Sequence, residues 1–426
     1  MLTLSPQYVT TRNSASLYPF QVQSGVPSIG ALVGVDHLAG GSAFAYDPWA
    51  LYEMGIVTST NMLVLGQIGK GKSAFVKTYL ARESLFGRRI FVIDPKGEYA
   101  ALADQLGLAR IHLVPGGYGG TLNPLDAGPL GGTDPLELVR RRSAMISALA
   151  ATGLHRDLDP EERSALDAAV RAATEQAQSR FDHTPQLSDI ANTLLSPPAK
   201  LASKLAISKT NLALKIRDLA LELQRMITGD LAGMFDGATT AEIDWDGPGL
   251  VIDISSLHNT DALAPVMVCA ATWLSQALTR VSEQKSILVL DEAWSALRLT
   301  AVTRWLQSVA KLSRSYGLQL VIVAHRLSDF ASQGDADSEA VRQAKGLIAD
   351  VETRVIYGQA DTESSALSEV LNLPSSETEL AMRLAPHRAL WKIGRSTAVV
   401  EHIATARELQ MSDTDQAMSD SVLRGR

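Results

Sequence analysis

The stretch Gly66-Gln67-Ile68-Gly69-Lys70-Gly71-Lys72-Ser73 is a complete G-x-x-x-x-G-K-S phosphate-binding loop. It follows a short apolar run typical of a strand, residues 61–65, and precedes a run with helical spacing, residues 74–80, that stops at Gly87. The glycines let backbone N–H groups turn inward, so that these groups and the helix N-terminus cradle a triphosphate. A glycine-rich turn that binds nothing is the alternative, but a strand, a loop and a helix in this order favour nucleotide binding by all eight residues.

Two residues of the loop have specific roles in this interpretation. Lys72 is expected to reach the β- and γ-phosphates, and the Ser73 hydroxyl is expected to ligate Mg²⁺. The sequence therefore predicts that the chain binds ATP together with Mg²⁺.

A second motif lies at residues 286–292, where four apolar residues are followed by Asp291 and Glu292. Such a run predicts a buried strand with two carboxylates at its C-terminal edge, which is where open α/β sheets bind their ligands. Asp291 is expected to hold Mg²⁺ through its water shell, and Glu292 is expected to orient and polarise the attacking water. Acids that merely cap a strand at the surface are the alternative, and the phosphate loop favours the catalytic interpretation.

Other residues are weaker candidates for the same site. Glu98, in the stretch Asp94–Tyr99 after the next predicted strand, could assist the water or the metal, or could belong to an ordinary turn. His325 ends a later apolar run and is either a sensor of the γ-phosphate or a structural histidine. Arg314 lies near the end of a predicted helix, where it either complements the helix dipole or reaches a neighbouring subunit's γ-phosphate as an arginine finger. Arg354, in a later strand run, is a weaker candidate of the same kind as His325.

The composition is that of a globular protein, with 426 residues of which 46% are hydrophobic and 20% charged. The single cysteine, Cys269, excludes an internal disulfide framework and predicts a buried thiol in a reducing compartment. We find no signal-peptide pattern and no window of roughly 18 apolar residues, so we expect a cytoplasmic chain, one that can still lie at the inner face of the cell membrane. The formal net charge of -7 argues against a protein that coats nucleic acid through bulk charge.

Apolar strand runs alternate with helical patterns after residue 59, which predicts the α/β class with a mostly parallel sheet covered by helices on both faces. A long interruption has almost no strand signal, and its expected helices begin with Pro135 and Pro160, each after an aspartate. We therefore predict three units: a β-rich N-terminal segment at 1–58, a P-loop ATPase core at 59–132 and 236–426, and an all-helical insert subdomain at 133–235.

The order and spacing of the motifs resemble those of the FtsK/HerA superfamily, most of all the C-terminal motor domain of the VirB/TraC-type ATPases of conjugation and type IV secretion. The resemblance extends from about Gly34 to Thr414-Asp415, and the stretches that carry it are Gly66–Ser73, Asp94–Tyr99, Leu122-Asn123-Pro124-Leu125-Asp126, Asp291-Glu292-Ala293-Trp294 and Arg314-Ser315-Tyr316-Gly317. It implies a RecA-like core that assembles as a ring, commonly a hexamer, with ATP at subunit interfaces. It also implies that Arg314 acts in trans, that Glu98 belongs to the active site, and that membrane-associated secretion or conjugation proteins are partners.

Two features depart from the family pattern. His325 stands where the family usually has glutamine, which puts the link between γ-phosphate sensing and motion in question. Relatives of the secretion type usually carry a large N-terminal domain, whereas about 58 residues precede the core here.

Three functions remain open at this point. The first is a ring-forming ATPase motor that energises conjugative DNA transfer or type IV secretion. The second is a HerA-type DNA translocase or helicase in repair. Its possible phosphate contacts come from the insert: Arg140-Arg141-Arg142 and Lys200, Lys204, Lys209 and Lys215. Scattered lysines on a helix are more often a solvated face. The third is a nucleotide-gated assembly factor of a membrane complex, against which Glu292 and Arg314 argue because such a protein has less need of them.

Overall fold

The computed structural model describes residues 25–126, 134–179, 184–204, 206–240, 243–244, 246–257, 263–278, 284–293, 300–327 and 339–412. The strands in this part of the chain are β1 (Ala31–Asp36), β2 (Ser42–Tyr46), β3 (Met62–Leu65), β4 (Arg89–Asp94), β5 (Ala109–His112), β6 (Gly249–Asp253), β7 (Ser286–Leu290), β8 (Leu318–Ala324), β9 (Thr353–Tyr357), β10 (Arg388–Ile393) and β11 (Ser396–His402). They form one sheet in the order β2-β1-β11-β10-β9-β3-β8-β7-β4-β6-β5.

The seven strands from β9 to β5 are parallel to one another. Every residue of β3, β4, β6, β7 and β8 is buried, which explains why these strands read as continuous apolar runs. The predicted α/β class with a mostly parallel sheet is therefore confirmed.

The other four strands extend the same sheet in antiparallel fashion. β10 and β11 form a hairpin, and β10 pairs with β9. β11 then pairs with β1, with Gly34 opposite His402, and β1 pairs with β2. The first strands of the chain thus continue the sheet of the core instead of packing beside it.

Helices lie between the strands, with the following bounds: α1 (Pro48–Glu53), α2 (Lys72–Ser84), α3 (Ala100–Leu106), α4 (Pro135–Leu154), α5 (Pro160–Ser179), α6 (Leu187–Leu195), α7 (Ala199–Lys204), α8 (Lys209–Lys215), α9 (Arg217–Thr228), α10 (Leu263–Leu278), α11 (Thr300–Tyr316), α12 (Glu339–Ala349), α13 (Ser364–Leu371), α14 (Ser375–Arg383) and α15 (Ala406–Ser412). α4 and α5 begin at the two prolines that the sequence indicated. Among the described residues, no helix has both the length and the apolar character needed to cross a membrane.

Alternate residues of β3 enter two separate apolar cores. Met62 and Val64 pack with Phe75 and Val76 of α2, whereas Leu63 belongs to a larger core on the opposite face. That larger core also takes in the buried residues of α4 to α6, α9 and α10. The described residues between β5 and β6 contain no strand apart from a single β-bridge, as the pattern of residues 133–235 predicts. The division of the chain into three units remains a prediction.

The C-terminal end of α2 carries a buried carboxylate. Glu83 is 1% exposed, and neither of its oxygens has a hydrogen-bond partner among the described residues. Arg88 Nε lies 3.6 Å from Glu83 Oε2, beyond hydrogen-bond distance, and the Arg88 guanidinium stacks 4.5 Å from the Trp49 ring. Burial first, and then the charge of Asp47, raise the pKa of Glu83 to about 8. The helix that follows the phosphate loop therefore ends at a buried carboxyl group that favours its neutral form.

Candidate active site

The phosphate loop connects β3 to α2, and its backbone conformation depends on glycine. Gly69 and Gly71 have φ angles of +76° and +102°, a left-handed region that costs other residues energy. A Cβ atom on Gly66 would lie 2.6 Å from Cβ of Tyr357. No side chain caps the N-terminus of α2, so its first N–H groups are left for a ligand. The loop thus has the cradle form that a phosphate group requires.

A cavity of about 360 Å³ lies against the loop. Its walls come from distant parts of the chain: residues 67–69 and 71–74, Lys96, Glu98, His325, His387 and Ser412. A second cavity, of about 430 Å³, is lined by Gln67, Ile68, His325 and Arg326. The loop residues, Glu98 and His325 are therefore brought together at the C-terminal edge of the parallel strands.

One histidine links the loop lysine to the predicted water-orienting carboxylate. Lys72 Nζ lies 3.2 Å from Nδ1 of His325, and Nε2 of His325 lies 2.5 Å from Oε1 of Glu292. An ammonium group only donates, so Nδ1 must accept and Nε2 must carry the proton that is donated to Glu292. His325 therefore joins the loop lysine to Glu292. Burial lowers the pKa of Lys72, and the nearby carboxylates Asp291 and Glu292 oppose that effect.

Glu292 has a strained backbone conformation, and its carboxylate is held by polar partners. Its φ angle is +48°, which is uncommon outside glycine and is often found at functional sites. The carboxylate is buried, receives the His325 hydrogen bond and forms an ion pair with Lys96. Burial by itself would raise the pKa of Glu292, but the hydrogen bonds from His325 and Lys96 outweigh it and hold that pKa at about 2. The group is therefore an anion throughout the physiological range.

Asp291 lies beside Glu292 at the end of β7 and is also buried. Its Oδ2 accepts a hydrogen bond from the Tyr99 hydroxyl at 2.9 Å, and its Oδ1 accepts one from the backbone N–H of Glu292 at 2.8 Å. These bonds fix the carboxylate at the same sheet edge as Ser73. A hydroxyl and a carboxylate are ligands that suit Mg²⁺, which takes its remaining ligands from water and phosphate oxygens.

The turn after β4 carries two cavity residues, Lys96 and Glu98. The Asp94 carboxylate organises this turn by accepting the backbone N–H groups of Lys96, Gly97 and Tyr99 at 3.1, 2.9 and 3.0 Å. Burial raises the pKa of Asp94 to about 6, although these backbone hydrogen bonds oppose the shift. Glu98 lies 3.9 Å from Nζ of Lys77, a buried lysine of α2. The prediction for Glu98 remains untested, but the turn does place it in the cavity.

Arg314 lies at the opposite edge of the sheet from the phosphate loop of its own chain. It belongs to the last turn of α11, which leads into the start of β8, whereas His325 follows the end of β8. Seven residues of strand span roughly 20 Å at about 3.3 Å each. Arg314 instead lines a cavity of about 730 Å³, together with Lys311 and Glu352. Its side chain therefore cannot serve the site of its own chain.

Several other basic residues named above have structural partners. Arg354 donates to the main-chain oxygens of Val351, Leu371 and Ala349, at 2.8, 2.5 and 2.8 Å. The sequence indicated Arg354 as a possible γ-phosphate ligand. In the structure its guanidinium instead donates hydrogen bonds to main-chain oxygens.

Arg142 is buried and donates to the Leu125 oxygen and the Thr174 hydroxyl, so the structure does not offer it to a nucleic-acid phosphate. Lys215 pairs with Glu161, and Arg140 is exposed. The side chains of Lys200 and Lys204, together with Trp294 and Thr414-Asp415, lie outside the described residues.

Four residues of the site escaped the sequence analysis: Lys96, Tyr99, His387 and Ser412. The first two lie inside the stretch Asp94–Tyr99, so the motif itself was the available signal. His387 belongs to no local motif, and it lies beside the loop only because the fold brings these distant parts of the chain together. Its backbone N–H donates to the Lys70 oxygen at 2.9 Å, and its own oxygen accepts from the His402 N–H at 2.9 Å. Ser412 lies at the end of α15, which Arg82 holds to α2 by hydrogen bonds to Glu408.

Residues 46–389 match the family model of the TraG P-loop domain. VirB4 of Thermoanaerobacter pseudethanolicus is similar in fold, with a TM-score of 0.71 and 22% sequence identity over 92% of this chain and 100% of that one. The plasmid coupling protein TrwB in complex with the non-hydrolysable ATP analogue ADPNP gives a TM-score of 0.58 and 16% identity, over 90% of this chain and 93% of that one. TrwB in complex with ADP and Mg²⁺ has the same TM-score and identity, over 90% and 94%. No curated protein sequence matches this chain. The likeness of fold confirms the predicted RecA-like core.

Proposed function

The chain belongs to the TraG P-loop domain family, and we propose that it is an ATP-hydrolysing motor that energises conjugative DNA transfer or type IV secretion. The observation that carries this proposal is the meeting of the phosphate loop, Asp291 and Glu292 at one edge of the sheet. Phosphoryl transfer to water depends mainly on positioning and on charge stabilisation, and these groups supply both.

Each residue of the proposed site has a separate task. The N–H groups of the loop and the Lys72 ammonium bind the phosphates, and Glu292 orients the attacking water. Ser73 and Asp291 hold Mg²⁺, which neutralises charge on the phosphate oxygens when it is bound. His325 fixes the distance between Lys72 and Glu292, so a change at the γ-phosphate is passed to the carboxylate through one imidazole ring.

The active unit in this proposal is a ring, commonly a hexamer, in which each subunit completes the site of its neighbour. The position of Arg314 supports this arrangement, because it lies at the edge of the sheet opposite its own phosphate loop. In a ring, the edge that carries Arg314 faces the nucleotide edge of the next subunit. Its guanidinium then stabilises the charge that develops on the γ-phosphate.

The proposal also places the ring at the inner face of the cell membrane, beside membrane-associated secretion or conjugation proteins. The family relationship supports this location. Attachment would be peripheral, through protein contacts.

Steady-state ATP hydrolysis by the full chain tests the proposed function. Lys72→Ala and Glu292→Gln should each reduce kcat at least a hundred-fold, because a phosphate ligand or the water-orienting group is lost. Lys392→Gln is a matched control, since this lysine forms a partly buried ion pair with Glu377 away from the site. Normal turnover in both site variants would refute the assignment. Strong stimulation by free duplex DNA, without secretion partners, would favour a HerA-type translocase instead.

A further inference from the structure

We propose that Lys96 is a second phosphate-binding residue, which exchanges its ion pair with Glu292 for the γ-phosphate of ATP. The inference rests on the proposed function and assigns a catalytic contact to a residue outside the phosphate loop and the Asp291-Glu292 motif. The ligand class is a nucleoside triphosphate, as distinct from a diphosphate.

The first argument is position. Lys96 and Lys72 both line the cavity against the loop, and their ammonium groups approach the two nitrogens of a single imidazole. Lys96 Nζ lies 3.3 Å from Nε2 of His325, and Lys72 Nζ lies 3.2 Å from Nδ1. Two cations beside one ring, in the cavity against the phosphate loop, form a positive site for an anion that carries several oxygens.

The second argument is charge. The positive charge of Lys96 is one of the effects that lower the pKa of Lys72, after burial, so the two ammonium groups repel each other. Glu292 offsets this repulsion with one negative charge, which Lys96 shares with His325. A terminal phosphate offers more charge and three acceptor oxygens, so it competes well for the same ammonium.

The third argument is the contrast between a fixed backbone and a mobile side chain. The Lys96 N–H donates to Asp94, and the next residue, Gly97, has a φ of +72° and lies close to Ser255. The backbone of the turn is therefore fixed. The Lys96 side chain is 34% exposed and ends in a flexible four-carbon stem, so it can swing from carboxylate to phosphate without moving the turn.

This exchange has a consequence for catalysis. When Lys96 turns to the γ-phosphate, Glu292 Oε1 loses one of its two donors and keeps the hydrogen bond from His325, so the carboxylate gains capacity to accept a hydrogen bond from the attacking water. ADP lacks the group that attracts Lys96 and leaves the ion pair with Glu292 in place. The water-orienting residue is thereby engaged only when there is a γ-phosphate to attack.

A simpler role for Lys96 is to neutralise the buried carboxylate of Glu292. Replacing Lys96 alone does not separate the two roles, because the unpaired carboxylate would itself repel a phosphate. The decisive comparison is made in the Glu292→Gln background, where that carboxylate is absent. There, any loss of affinity caused by Lys96→Gln reports the contact between the ammonium and the phosphate.

The measurement is the Kd of a non-hydrolysable ATP analogue and of ADP, with Mg²⁺, by calorimetry. We expect Lys96→Gln in the Glu292→Gln background to raise the Kd of the analogue about ten-fold or more, because a charge-assisted hydrogen bond is lost. The Kd of ADP should change by less than about two-fold. Lys96→Arg should restore most of the affinity, and Lys392→Gln should change neither Kd.

Equal affinity for the analogue with and without Lys96 would overturn the inference and leave the proposed function intact. Equal losses for the analogue and for ADP would overturn it too, because a general loss of charge or structure would then explain the effect. Failure of the unaltered chain to bind either nucleotide would instead refute the proposed function.

Discussion

The buried carboxyl group of Glu83 should make the folding stability of this protein fall as the pH rises. Its pKa is about 8 in the folded chain against an ordinary value of 4.5, so between these values the folded state binds more protons than the unfolded state. Stability is then greatest below about pH 4.5 with respect to this group, and it decreases up to about pH 8. At about 1.4 kcal/mol per pKa unit, the loss between pH 5 and pH 8 is roughly 3 to 4 kcal/mol.

The variant Glu83→Gln removes the ionisation and keeps the size of the side chain. We compare the free energy of unfolding of the variant with that of the unaltered chain. The difference, variant minus unaltered chain, should become more positive by about 3 kcal/mol between pH 5 and pH 8. The assay is urea unfolding followed by circular dichroism at several pH values. Glu53→Gln is the control, because Glu53 is 74% exposed and pairs only loosely with Lys285 at 3.8 Å. If the curves for Glu83→Gln and the unaltered chain stay parallel across this range, the reasoning about burial is wrong.

Three more predictions concern the loop, the subunit interface and a buried histidine. Gly71→Ala should weaken ATP binding at least ten-fold, because φ is +102° and the new Cβ would lie 3.0 Å from a ring nitrogen; Gly346→Ala, with open space around it, should not change the Kd. Arg314→Ala and Lys72→Ala should each be inactive in ATP hydrolysis. Mixing the two variants should restore part of the ATPase activity, because some interfaces then combine an intact Arg314 with an intact Lys72. No recovery in a mixed assembly would contradict action in trans. Burial lowers the pKa of His402 to about 4, so stability should decrease by roughly 3 kcal/mol as the pH falls from 6.5 to 4; His402→Phe should flatten that decrease in urea unfolding.

Much of the fold follows from the sequence because the five central parallel strands, β3, β4, β6, β7 and β8, are buried on both faces. The central strands read as mostly apolar runs, and the phosphate loop marks which strand is followed by the nucleotide-binding helix. The pairing of β1 with β11 could not be predicted in the same way. It joins segments more than three hundred residues apart, and nothing in a local pattern specifies such a partner.

The features of the candidate site also divide into those that a local sequence motif predicts and those that depend on the fold. Lys72, Ser73, Asp291 and Glu292 belong to local motifs whose chemistry is evident from residue type and spacing. The ion pair between Lys96 and Glu292 and the approach of His387 to the loop depend on the order of strands in the sheet. Sequence patterns predict which groups exist, whereas contacts between them require the topology.

The contact between His387 and the phosphate loop is made by main-chain atoms on both sides. The N–H of residue 387 bonds to the Lys70 oxygen, and the oxygen of residue 387 bonds to the N–H at the end of β11. Any displacement of the loop is therefore transmitted to the antiparallel half of the sheet without help from a side chain. The connection requires residue 387 to keep its φ of +65°, a left-handed conformation that glycine and asparagine adopt readily. Proline, which has no N–H and a fixed negative φ, would sever the connection to the loop. The coupling of the loop to the antiparallel strands therefore depends on the backbone conformation at position 387.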